Sequence, residues 1–174
     1  MKKCWFLMCL ALLLTGCNST AETVETLTDE YIQPVMATMQ QAVMVLPEDA
    51  SLTVMESDSG DIVYLCDGYT ITLHTCQAGD LDKTLREATG FSKDALKLIQ
   101  TESAGVERTQ CVWTAAGESE EQVGRLTVLD DGNYHYVLTC MAGASQTQRL
   151  QPVWQELFDS FRLVGADVDL SIGS

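Results

Sequence analysis

The sequence holds little that would name a reaction. It contains no G-x-S-x-G, no H-E-x-x-H and no glycine-rich phosphate loop, so the signatures of serine hydrolases, zinc peptidases and nucleotide binders are missing. No CxxC pair supplies the spacing of a structural zinc site, and no D-x-[DN]-x-[DN]-G run supplies a calcium loop. Basic residues are scarce: 10 Lys and Arg stand against 25 Asp and Glu, a formal charge of −15. A phosphate-binding surface needs clustered cations, so nucleic acid is excluded as a partner. Three prolines and 12 glycines in 174 residues are too few for a disordered chain beyond its first stretch. No internal repeat is visible, and no cofactor or metal is expected.

What is present begins at the amino terminus. Lys2 and Lys3 precede an apolar run, Trp5 to Leu14, of a length that suits a secretory signal and is too short for a mature membrane span. The run ends in Leu14-Thr15-Gly16-Cys17, which resembles a bacterial lipobox. In that motif the cysteine is acylated and becomes the first residue of the mature protein, so Cys4 and Cys9 would leave with the signal. The alternative is an ordinary signal peptide cut near Ala21. On the lipobox reading the chain divides into a signal peptide (1–16), a lipidated cysteine with a flexible tether (17–28), one globular domain (29–166) and a short tail (167–174). The expected location is the extracytoplasmic side of a cell membrane or envelope, held there by palmitate-like chains on Cys17. Loss of Lys2 and Lys3 leaves 8 of the 10 basic residues against 25 acidic ones, a mature charge of −17.

Of seven cysteines, four remain in the domain: Cys66, Cys76, Cys111 and Cys140. In an exported domain an even number suggests two disulfides, with three connectivities open. Four free buried thiols are the alternative.

Asp29 is placed to cap a helix reaching Leu46, with Tyr31, Val35, Met39, Val43 and Leu46 at spacings of three and four; Pro34 fits only its first turn, and Pro47 stops it. "SLTVME" then predicts a short strand. "DIVYLCDGYTITLHTC" predicts a hairpin about Asp67-Gly68, with Tyr69, Ile71 and Leu73 on one face of its second strand and Thr70, Thr72 and His74 on the other. "GDLDKTLREATG" predicts a helix capped by Asp80 and stopped by Gly90. Strands follow at Ala95 to Thr101, Val106 to Ala115 and Val123 to Leu129, and "DDGN" turns into a fourth, "YHYVLTCMA". Leu150, Val153, Trp154, Leu157, Phe158 and Phe161 form a wide apolar stripe on a helix from about Ser145 to Arg162. The fold class is α+β: a mostly antiparallel, hairpin-rich sheet covered by helices on both faces, an α/β/α sandwich.

Few side chains suggest chemistry. His74 with Cys76 two residues on could offer a metal pair or a Cys–His nucleophile, although a satisfied sheet histidine is the simpler reading, for His135 as well. Asp58, Asp61, Asp130 and Asp131 flank Gly60 and Gly132 as turn residues do. Glu118, Glu120 and Glu121 read as a solvated charge run. Trp113, Tyr134 and Tyr136 on adjacent strands are the candidate binding surface, with core packing as the competing reading.

At "DLDKTLREATGF", "CVWTAAG", "VLDDGNYHYVLTCMA" and "WQELFDSFRLV" the sequence resembles the fold group of the photosystem extrinsic protein PsbP and the Ran-binding Mog proteins, over roughly Ser51 to Val164. The resemblance implies a hairpin-rich sheet between helices and a non-enzymatic binding or assembly module; it supplies no catalytic residues. The expected partner is another envelope protein, which calls for an exposed apolar patch. The alternative is a small-molecule or lipid-binding lipoprotein, which calls for a pocket between sheet and helix.

Overall fold

A computed structural model describes residues 38–53 and 61–165. The signal, Cys17, the tether, Asp58 and the tail 167–174 lie outside the described residues, as does most of the helix expected at Asp29 to Leu46.

The described end of that expected helix is not helical. Gln41–Val43 forms strand β1, which pairs antiparallel with Arg162–Val164, the last strand, β9. Ala42 and Met44 face the core while Met39, at 54 %, and Leu46, at 36 %, are exposed. Spacings of three and four therefore served a short strand and its flanks, because a partner more than a hundred residues away supplies the hydrogen bonds.

The remaining strands make one sheet. They are β2 (Ser51–Thr53), β3 (Ile62–Cys66), β4 (Tyr69–Gln77), β5 (Ile99–Ser103), β6 (Val106–Ala116), β7 (Glu121–Asp130) and β8 (Tyr134–Gly143), in the spatial order β2-β3-β4-β8-β7-β6-β5. Every neighbour is antiparallel. Tight turns set the registers. Gly68 at φ 81° closes β3 onto β4, Ala104 and Gly105 at φ 52° and 76° close β5 onto β6, and Gly132 at φ 85° closes β7 onto β8. The strand expected at Ala95 to Thr101 starts later, at Ile99, because Lys93–Ala95 forms a 3₁₀ turn whose Lys93 N–H donates to Asp82 at 2.6 Å.

Two helices occur among the described residues, where three were expected. Helix α1, Leu81–Thr89, starts at Asp80, whose carboxylate accepts from the Asp82 N–H at 2.9 Å, and ends at Gly90 in the left-handed region at φ 81°, as the sequence predicts. Helix α2, Thr147–Ser160, follows a 3₁₀ turn at Ala144–Gln146 and lays Leu150, Trp154, Leu157 and Phe158 on the sheet.

The period of two along each strand divides the core. Tyr69, Ile71, Leu129, Tyr136, Leu138, Cys140 and Ala142 pack with the buried face of α2 and with Phe161. The alternate residues Cys111, Trp113, Leu126, Val128 and Val137 pack with Leu85 of α1. Trp113 lies on Gly124, directly across from it on β7, where an added Cβ would come within 2.3 Å of the indole. Gly124→Ala is therefore expected to cost about 1–3 kcal/mol in urea unfolding by overpacking; an unchanged midpoint would contradict this close approach.

All four domain cysteines are free thiols, and the register explains why the expected disulfides do not form. Cys66 pairs with Tyr69, which pairs with Ala142, so Cys140 lies two strands over and two residues along, about 12 Å away at strand spacing. Cys111 and Cys76 are three strands apart, and Cys66 and Cys140 belong to the opposite face from Cys111. A disulfide needs α-carbons within about 7 Å.

Candidate functional site

The sheet face that carries α1 is only partly covered. Beside the helix, β4 presents Thr70, Thr72 and His74 on one face, as their alternation predicts, and β8 presents Val137, Thr139 and Met141 next to them. Together with Asp61 and with Thr84, Glu87 and Ala88 of α1, these line a pocket of about 370 Å³, near the lower end of the range for small-molecule sites. Its floor is apolar at Val137, Met141 and Ala88; its walls carry hydroxyls, an imidazole and two carboxylates.

Two histidines organise the site. His74 Nδ1 lies 2.5 Å from Asp61 Oδ1. The hairpin register explains the pairing: Ile62 faces Leu73, so one step further Asp61 faces His74. A carboxylate only accepts, so Nδ1 donates its proton to Asp61. His135, 1 % exposed, sits behind the pocket wall. Its Nδ1 is 2.8 Å from the Thr84 hydroxyl and its Nε2 is 3.2 Å from Asp130 Oδ2. A ring protonated on Nε2 satisfies both neighbours, donating to Asp130 and accepting from Thr84. The line Thr84–His135–Asp130 thus ties α1 to the β7–β8 turn through a buried hydrogen-bonded network.

The Cys–His option finds no support in this geometry. His74 is engaged with Asp61, and burial pushes the Cys76 thiol above its ordinary pKa despite a hydrogen bond with Thr84. Burial does the same at Cys66, at Cys111, raised to about 11, and at Cys140. A reactive thiol needs the opposite shift. Among the described residues no three of His, Cys, Asp and Glu gather as a metal site requires.

The aromatic surface expected at Trp113, Tyr134 and Tyr136 is not one surface. Trp113 faces Gly124, which faces Met141, so it shares a face with the odd-numbered residues of β8, whereas Tyr134 and Tyr136 are on the other. Trp113 is 6 % and Tyr136 1 % exposed, each in a different half of the core. The tyrosines do associate, with ring centroids 6.3 Å apart. The Tyr136 hydroxyl donates to Asp131 at 3.1 Å and accepts from the Gln40 N–H at 2.9 Å, so it anchors the segment leading into β1. Burial, above all, moves its pKa up to about 12.

At Asp131 burial would raise the pKa, but the Asn133 and Tyr134 N–H groups, the Tyr136 hydroxyl and the Gln40 amide together hold it below the ordinary carboxylate value of 3.8. A carboxyl depressed in the folded state adds stability above its unfolded pKa and loses it as pH falls through the folded one. The thermal midpoint is expected to fall below about pH 4, and Asp131→Asn to shrink that acid limb. Identical limbs in the two proteins would contradict the assignment. Glu120, expected in a solvated run, instead accepts from the Ser145 N–H at 3.0 Å and its hydroxyl at 3.1 Å, ahead of α2.

No protein-family model matches the chain and no curated relative is found. Solved structures do superpose on it. LpqN of Mycobacterium tuberculosis, described as involved in cell envelope biogenesis, aligns at 14 % identity with a TM-score of 0.52 over 72 % of this chain and 84 % of its own. The Ran-binding protein Mog1p of Saccharomyces cerevisiae aligns at 13 % identity and 0.47, over 73 % and 96 % of the two chains. The cyanobacterial PsbP of Synechocystis sp. PCC 6803 aligns at 9 % and 0.47, over 74 % and 95 %. At these identities the likeness to LpqN is one of fold. No helix among the described residues is long and apolar enough to cross a membrane.

Proposed function

We propose that this chain is an extracytoplasmic envelope protein, held to a membrane by acyl chains on Cys17, whose domain is a non-enzymatic binding module with a helix on each face of its sheet. The observation that carries the binding role is the pocket of about 370 Å³ beside α1. Its charged acceptors are the Asp61 and Glu87 carboxylates, joined by the His74 imidazole and by the hydroxyls of Thr70, Thr72 and Thr139, which both donate and accept. No lysine or arginine lines it. Such a lining suits a small neutral or cationic molecule that donates hydrogen bonds and lays an apolar part on Val137 and Met141. The fold shared with LpqN, a protein of envelope biogenesis, agrees with the location.

A second reading, assembly with another envelope protein, is favoured by exposed apolar residues on the short strands at one sheet edge: Leu52 at 62 %, Leu65 at 49 % and Ile62 at 42 %. Filling the pocket separates the two. Protein carrying Thr139→Trp, purified from its own membranes, is expected to lose a small molecule that the unaltered protein releases into organic solvent, while still capturing any protein partner. Equal small-molecule content in both would refute the pocket reading.

A further inference from the structure

The face under α2 carries a second pocket, about 330 Å³, of opposite character. Val112 of β6, Val123 and Arg125 of β7, and Gln148, Gln151 and Trp154 of α2 contribute to its lining, which includes one cation and no carboxylate. In a chain with 25 acidic residues against 10 basic ones that is an unexpected lining. Arg125 is half-buried and packs its guanidinium 4.5 Å from the centre of the Phe158 ring, but among the described residues it makes neither a hydrogen bond nor an ion pair. Three other arginines are engaged: Arg86 with Asp82, Arg149 with Asp67, and Arg108 with the carbonyls of Phe158 and Phe161. A guanidinium offers five donors in a fork that matches a carboxylate, and leaving them unmatched in a partly dry site is costly.

A second observation concerns Trp154, one of the residues that contribute to this lining. The indole Nε1 of Trp154 is buried without an acceptor, and buried N–H groups are seldom left so. The start of α2 is not the anchor, since Glu120 already meets the Ser145 N–H at 3.0 Å just before it.

The geometry points to a binding site for a small organic monocarboxylate, its carboxylate forked on Arg125 with the Gln148 and Gln151 amides beside it and its apolar part on Val112, Val123 and the Trp154 ring. One cation matches one negative charge. A dianion such as phosphate would meet the same single cation against the field of a strongly acidic protein. The site is separate from the pocket beside α1, whose lining carries carboxylates in place of an arginine.

The test uses the full mature chain, ¹⁵N-labelled on its tryptophans, titrated with benzoate, its neutral counterpart benzamide, and inorganic phosphate. Benzoate is expected to shift the Trp154 indole signal saturably and to leave that of Trp113, on the other face, in place. Benzamide and phosphate are expected to bind at least about tenfold more weakly, a difference of about 1.4 kcal/mol. Arg125→Gln should weaken benzoate by a similar factor. Gln151→Glu, an exposed change that spares the Phe158 stack, should do the same by repulsion and carries the test if Arg125→Gln does not fold. Absence of a saturable shift at Trp154, binding of benzamide or phosphate as tight as that of benzoate, or unchanged benzoate affinity in folded Gln151→Glu would each overturn the proposal.

Discussion

Replacing Phe158 with alanine is expected to remove about 3–5 kcal/mol of stability in urea unfolding, a large part of the 5–15 kcal/mol typical of a small domain. Phe158 is fully buried, in the cluster that joins α2 to β4, β7 and β8. Its ring lies under the guanidinium of Arg125 at 4.5 Å, so truncation also removes a cation–π contact. Its carbonyl accepts from Arg108, a bond that the substitution leaves available. The loss is thus one of packing and of the platform beneath Arg125, with a cavity left behind. Gln155, exposed one turn earlier in the register of the same helix, provides the control: Gln155→Ala should stay within about 0.5 kcal/mol. A loss below about 1 kcal/mol at Phe158 would mean that α2 does not pack as described.

Cys17→Ala is expected to leave the whole of the protein as an unprocessed, unacylated precursor. Two or three acyl chains contribute about 0.8 kcal/mol per buried methylene, which holds a protein stably where a single chain would not. Without the sulfur no thioether to diacylglycerol can form, and on the lipobox reading the signal stays uncleaved. The expected result is a heavier, unlabelled precursor in cells fed radioactive palmitate. Lipid label persisting on the variant, or normal processing near Ala21, would contradict the anchor.

Where local chemistry decides, the elements were legible in the sequence. Asp80 and Gly90 bracket α1, Asp67-Gly68 turns the first hairpin, and the stripe from Leu150 to Phe161 builds α2, because a cap, a turn and an amphipathic period each act within a few residues. The end of the expected amino-terminal helix is a strand because the pairing of β1 with β9 is set by distant residues. The site was half legible. Thr70, Thr72 and His74 sharing a face follows from alternation, and Asp61 opposite His74 follows from counting back from the Asp67-Gly68 turn. That α1 leaves those residues uncovered depends on where a nine-residue helix lands on the sheet, which no local pattern states. The separation of Trp113 from Tyr134 and Tyr136 is hidden for the same reason: which face each occupies is fixed by registers accumulated across β6, β7 and β8. Arg125 carries no local signal because its significance is relational, a cation without an anion against the Phe158 ring of α2.

The measurement that bears most directly on the binding role is the native mass of the protein extracted gently from its own membranes. The account predicts the acylated chain carrying a further mass of a few hundred daltons, the size of molecule small-molecule pockets hold, and predicts its absence in Thr139→Trp. A bare acylated chain from membranes in which the protein is normally at work would contradict the account.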